Sequence, residues 1–152
     1  MLKKNTKKFV LLRILVGVVF VVSGTEKLFS TTENIIYVIQ GYQILHNSLL
    51  ERLAALTLPW AELFLGIFLL LGLWRKQCAM AVAGISVMFA IAVAQAMVRG
   101  LPLSNCGCFG ELLHFPLYGT LILDLILISS GVVLFIRFTE TRDLSLDQFF
   151  EE

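Results

Sequence analysis

Cys106 and Cys108, one residue apart, are the first side chains in this sequence whose type and spacing could do chemistry. They lie in the segment LPLSNCGCFG, Leu101 to Gly110. Pro102, Asn105, Gly107 and Gly110 break helix or permit positive φ there, so the spacing predicts a structured turn. Two such cysteines can bond only if the backbone turns to bring their Cα atoms within ~4.4 to 6.8 Å. Gly107 allows that turn, with Phe109 and Gly110 completing its geometry. So small a ring should be strained, and strained disulfides are the labile, exchanging ones. It also restrains little loop entropy, so it would stabilise little as a purely structural link. A redox-active dithiol, a structural disulfide, two free thiols, and a soft-metal site joined by His46 or His114, the two histidines, all remain open on residue type alone. Cys78, distant in sequence, reads as an inert small apolar residue.

A second set of residues is polar where a membrane should not tolerate it. A charge inside a span costs about 2.5 to 3.5 kcal/mol on insertion scales, so each needs a reason. Glu26 and Lys27 close the first apolar run, Glu62 follows Pro59 by one turn in the second, Gln95 and Arg99 end the third, and Asp124 lies about two turns into the fourth. All fall in the half of the chain's spans that leads to the cysteine loop. Pairing of Glu62 and Asp124 with Lys27 and Arg99 would hold a bundle together. The same groups could line a pocket beneath the cysteines, where a buried carboxylate would handle the protons of thiol chemistry. Arg13 reads as a snorkelling residue, and Gly17, Gly24, Gly66, Gly72 and Gly84 as close-packing positions between helices.

The elements that must position these groups are membrane helices. Of 152 residues, 58% are apolar and 15% charged, and mean hydropathy is +0.87; a soluble domain carries about a quarter charged residues. A chain of this size could not bury so much apolar surface in water. The formal charge of +1 gives no field to attract nucleic acid. Four apolar runs, about Phe9 to Phe29, Leu53 to Trp74, Cys78 to Val98 and Leu117 to Phe138, are long enough to cross a bilayer. The sequence thus predicts an all-α, polytopic membrane protein: a single domain over 1–152, a four-transmembrane-helix bundle with an acidic cytoplasmic tail from Thr139 to Glu152. The basic N-terminal lead resembles a secretion signal, but its apolar stretch is followed by no A-x-A-like cleavage site and reads as a retained signal-anchor.

Basic residues set the orientation. Lys3, Lys4, Lys7, Lys8, Arg13, Arg75, Lys76, Arg137 and Arg142 fall on one side, against Lys27, Arg52 and Arg99 on the other. Both termini are therefore expected in the cytoplasm, and the Cys-Gly-Cys loop outside. In the first outer connection, Ser30 to Arg52, Ile35, Ile36, Ile39, Tyr42 and Leu45 recur at helical spacing, with Gln40 and Asn47 on other faces. An interfacial amphipathic helix is expected between the first two spans. Nucleotide-binding, nucleophile-elbow and haem-attachment motifs are absent from the sequence.

Arg13, Gly17, Phe20, Ser23, Gly24, Lys27 and Leu28, then Pro59, Glu62, Gly66, Gly72 and Arg75, together resemble the DoxX-like superfamily of four-helix membrane proteins. Within it, Cys106-Gly107-Cys108-Phe109-Gly110 after a third span resembles the MauE-like (methylamine utilisation) branch. The resemblance runs from about Phe9 to about Phe138. The branch pattern continues with a Trp early in the fourth span and a basic residue before Asn or Asp; this chain has Tyr118 and Leu123-Asp124. The resemblance implies a bacterial cytoplasmic-membrane protein that assists disulfide formation in exported proteins with a periplasmic thioredoxin-like partner. DoxX-like relatives further imply a quinone as electron acceptor. On this reading the chain is a thiol-disulfide oxidoreductase with Cys106 and Cys108 as the exchanging pair. The alternatives are a non-catalytic accessory subunit of a membrane complex and a soft-metal-handling protein.

Overall fold

The computed structural model describes residues 3–45, 47–101 and 116–137. Among these residues the protein is all helical: α1 (Lys3–Phe29), α2 (Thr32–Gly41), α3 (Ser48–Leu71), α4 (Arg75–Val98) and α5 (Leu117–Ile136). Four of them, over Lys7–Phe29, Ser48–Leu71, Arg75–Val98 and Leu117–Ile136, are long and apolar enough to span a bilayer. The chain is a four-helix membrane bundle with a short helix between its first two spans. Cys106, Cys108, His46 and His114, and the tail from Thr139, lie outside the described residues.

The bundle is built from two tight pairs. α1 packs along α3, and α4 along α5; the pairs meet more lightly, α3 against α4 and α1 against α5. Between apolar helices in lipid, close backbone approach replaces the hydrophobic effect as the source of attraction. Gly24 and Gly66 create that approach for α1 and α3. A Cβ at Gly24 would lie 2.6 Å from Leu63 N and 2.9 Å from Pro59 O, and one at Gly66 would lie 2.6 Å from Val21 N. Gly131 does the same for α5 against Ala79 and Ala83 of α4. The cluster at the centre comprises Val16, Phe20, Leu69, Cys78, Ala79, Val82, Leu127 and Leu134.

Two glycines depart from the close-packing expectation. Gly84 faces open space, and a methyl placed on its Cα would meet nothing within 4 Å. Gly72 instead ends α3: its φ of 71° is left-handed, and Leu73 N donates to Phe68 O at 2.9 Å, the bond that closes a Schellman turn. That stop moves the end of the second span back to Leu71, and Trp74, itself at φ 47°, starts α4 at Arg75. The two glycines should therefore respond oppositely to alanine. Gly72→Ala is expected to cost about 1 to 2 kcal/mol for the left-handed backbone, whereas Gly84→Ala should gain about 0.5 to 1 kcal/mol by helix propensity. Denaturant titration in bicelles reads both.

The first connection is shorter and more ordered than its periodicity implies. α2 stops at Gly41, and Asn47 belongs to the next element, its Oδ1 capping α3 by accepting from Leu49 N at 2.9 Å. Tyr42, just past α2, is buried against Val93 and Ala96 of α4, with Val38, Leu101, Leu117 and Leu121 around it. Gln40 donates to buried Glu51 of α3 at 2.7 Å. The turn after α2 is thus tied to both helix pairs at one end of the bundle, called here the α2 end.

Candidate functional site

Position along α1 dictates which polar side chains enter the bundle. Arg13, Val16, Phe20, Gly24 and Lys27 follow one another at three- and four-residue steps, so they share one face, and all five are buried. Arg13, 1% exposed, therefore points into the bundle instead of snorkelling. Lys27, at the other end of the face, meets Glu62 of α3.

That meeting is the centre of the site. Lys27 Nζ lies 2.6 Å from Glu62 Oε2 and donates to Ser23 Oγ at 2.7 Å; Ser23 Oγ in turn donates to Glu62 Oε2 at 2.9 Å. The ion pair is closed off, its side chains 8% and 1% exposed. Lys27 Nζ also stands 5.6 Å from the centroid of the Phe89 ring on α4, so it bridges the two helix pairs. Burying such a charge pair demands full compensation, because desolvation can exceed the Coulombic gain. Charge-assisted bonds at these distances supply part of it.

Beside the ion pair is a small cavity lined by Val19, Phe20 and Ser23 of α1, Glu62 of α3, Ser86 and Phe89 of α4, and Leu123, Asp124 and Leu127 of α5. All four spans contribute. Its room for water centres is about 20 Å³, enough for one or two waters. A quinone ring does not fit there. Among the described residues, no group of three His, Cys, Asp or Glu side chains could hold a metal; the soft-metal set of Cys106, Cys108, His46 and His114 falls outside them.

The six polar residues singled out from the sequence thus separate. Glu62 and Asp124 line the cavity, and Lys27 joins them through its ion pair with Glu62. Glu26 is half-buried and Gln95 half-buried one turn before the end of α4, neither lining it. Arg99 is exposed and donates to Gln43 Oε1 at 2.9 Å and Gln43 O at 3.4 Å, fastening the turn after α2 instead of reaching a carboxylate of the cluster. Ser23 and Ser86 also line the cavity, and residue type alone does not mark either as a site residue. Ser23 carried a signal, sitting four residues before Lys27 on the same helical face; Ser86 carried only its isolation in an apolar stretch.

The chain matches the family model of methylamine utilisation protein MauE over residues 6–137. It is 31% identical to the methylamine utilization protein MauE of Paracoccus denitrificans over 112 residues, 74% of this chain and 59% of that relative. The chain thus spans under two thirds of that relative's length. No solved structure matches. A match over nearly all of the described bundle, from the start of α1 to the end of α5, establishes that the chain belongs to the MauE family.

Proposed function

We propose that this protein exchanges disulfides, through Cys106 and Cys108, with a thioredoxin-like protein outside the bacterial cytoplasmic membrane, in the maturation of exported proteins such as those of methylamine utilisation. The observation that carries the reading is where the residues flanking the cysteine segment lie. Leu101 and Leu117 both pack against the cluster of Tyr42, Val93 and Ala96 at the α2 end, and the buried Lys27–Glu62 pair and Asp124 lie in the same bundle. The asymmetry of basic residues supports placing that end outside and both termini in the cytoplasm. Its DoxX-like residues, Arg13, Ser23, Lys27, Glu62 and Arg75, support placement in that wider superfamily.

The exchange is a two-electron transfer between sulfurs. A partner thiolate attacks one sulfur of the Cys106–Cys108 disulfide, whose S–S bond breaks as a mixed disulfide forms. The partner's second thiolate then displaces the cysteine still bound, leaving the partner oxidised and Cys106 and Cys108 reduced, each holding a proton. The reverse sequence reduces the partner. On this reading Glu62 and Asp124 serve the proton traffic.

In Cys106→Ser and Cys108→Ser the remaining thiolate can attack a partner disulfide, breaking its S–S bond to form a mixed disulfide, but no second cysteine is left to resolve it. One of the two variants is expected to accumulate a mixed disulfide with a partner in intact membranes, visible as a higher-mass species that dithiothreitol releases. Its absence from both variants would overturn the reading.

A further inference from the structure

We propose that the cavity between the two helix pairs is an internal hydration site, and that water in it joins Glu62 Oε1, Ser86 Oγ and Asp124 into one proton-sharing unit. This goes beyond the cysteine chemistry and does not depend on it. Two polar atoms on residues that line the cavity have no hydrogen-bond partner among the described residues. Glu62 turns Oε2 to Lys27 and Ser23, while its Oε1 is buried without such a partner. Ser86 Oγ, on a residue only 1% exposed, is buried in the same way. Both residues line the same cavity as Asp124.

Buried polar atoms in native proteins are nearly always satisfied, by protein or by ordered water. An unsatisfied group costs about 1 to 3 kcal/mol, and more if charged, and no bulk water competes inside a bilayer. The room of about 20 Å³ exceeds what one water needs, and the residues around it carry a carboxylate oxygen, a hydroxyl and a second carboxyl, within the two to four partners a buried water takes. The water donates to Glu62 Oε1 and accepts from Ser86 Oγ. Its second lone pair accepts from the protonated Asp124 carboxyl. A proton on Asp124 can then pass to the water while the water's proton passes to Glu62 Oε1, leaving a carboxylate on α5 and a carboxylic acid on α3, with no electrons transferred and no atom gained or lost. Because Glu62 belongs to the α1/α3 pair and Ser86 and Asp124 to the α4/α5 pair, the shared proton would lie on the seam between them.

The test is water-edited solid-state NMR on the full chain in lipid bilayers. Magnetisation from water should reach the Glu62 and Asp124 carboxyl carbons several-fold faster than it reaches Leu69 and Val82, which serve as dry-core controls. Ser86→Val, which fills the cavity and removes the hydroxyl, should bring those rates down to the control level; Ser86→Ala, which enlarges the space, should keep them high and covers the case in which the valine variant fails to fold. In the wild-type cavity, Asp124→Asn should also move the carboxyl carbon resonance of Glu62, and in the Ser86→Val background it should not. Transfer at the dry-core rate in the unmodified protein would overturn the hydration site. A Glu62 resonance that ignores Asp124→Asn would overturn the proton sharing, and a resonance that moves when sodium replaces choline in the buffer would assign the cavity to a metal cation instead. None of these outcomes bears on whether Cys106 and Cys108 exchange disulfides.

Discussion

Gly24→Val and Gly66→Val should each leave little folded protein, with a loss of at least about 3 kcal/mol, the upper end of what overpacking costs. The reason is what a side chain would strike. At Gly24 the first carbon alone would sit 2.6 Å from Leu63 N, 2.9 Å from Pro59 O and 3.0 Å from Leu63 Cα; at Gly66 it would sit 2.6 Å from Val21 N and 2.8 Å from Gly17 O. These are backbone atoms of the facing helix, which no rotamer change can move aside. α1 and α3 would have to separate, and in lipid the packing lost has no hydrophobic replacement. The same separation pulls Lys27 from Glu62, because that pair bridges the same two helices. Gly84→Val is the control: nothing lies within 4 Å of that position, so its folded yield should match wild type. Folded yield after detergent extraction, with unfolding by denaturant in bicelles, separates the three. Near-normal stability of Gly24→Val would mean that α1 and α3 are not in backbone contact.

Lys27→Met and Glu62→Leu should each be strongly destabilising, by about 3 to 5 kcal/mol, and the double variant should recover most of that loss. Removing one partner strands the other charge in the bundle, whereas removing both leaves an apolar seam of similar volume. The residual deficit in the double variant should come chiefly from Ser23, whose hydroxyl exchanges bonds with both members of the pair. A double-mutant cycle by unfolding in bicelles measures the interaction directly. Additive losses, with the double variant as damaged as the sum of the two, would show that Lys27 and Glu62 act separately.

Much of this is legible in the sequence, and the physical reasons for the rest are specific. The four spans follow from apolar length, since nothing but a helix satisfies its own backbone in lipid. Their ends move where a single residue rules: Gly72 at φ 71° stops α3 and Trp74 restarts the chain as α4, and backbone sign is not written in hydropathy. The Lys27–Glu62 pairing is among the expected combinations because opposite charges in adjacent spans must meet or suffer desolvation alone. Arg99 is expected to take the second carboxylate, but it lies at the exposed end of α4, where Gln43 is within reach. The snorkelling expectation for Arg13 fails because it weighs charge above register; the three- and four-residue steps to Val16, Phe20 and Lys27 put it on the inward face. Ser86 could not be foreseen, since a lone serine in an apolar helix is also free to bond its own backbone. The cysteine pair is the reverse case, conspicuous in the sequence and outside the described residues.

If Cys106 and Cys108 form a reversible disulfide, differential thiol alkylation in native membranes detects it most directly. Blocking free thiols under denaturing conditions, reducing, and labelling again should show the two cysteines protected before reduction and labelled after it, with Cys78, whose Sγ donates to Leu73 O, blocked in the first step as the internal reference. Titration against glutathione should then return a midpoint at or above about −200 mV, among the labile exchangers. Thiols that are alkylated at once without reductant, or that a chelator rather than a reductant exposes, would rule out the exchanging disulfide.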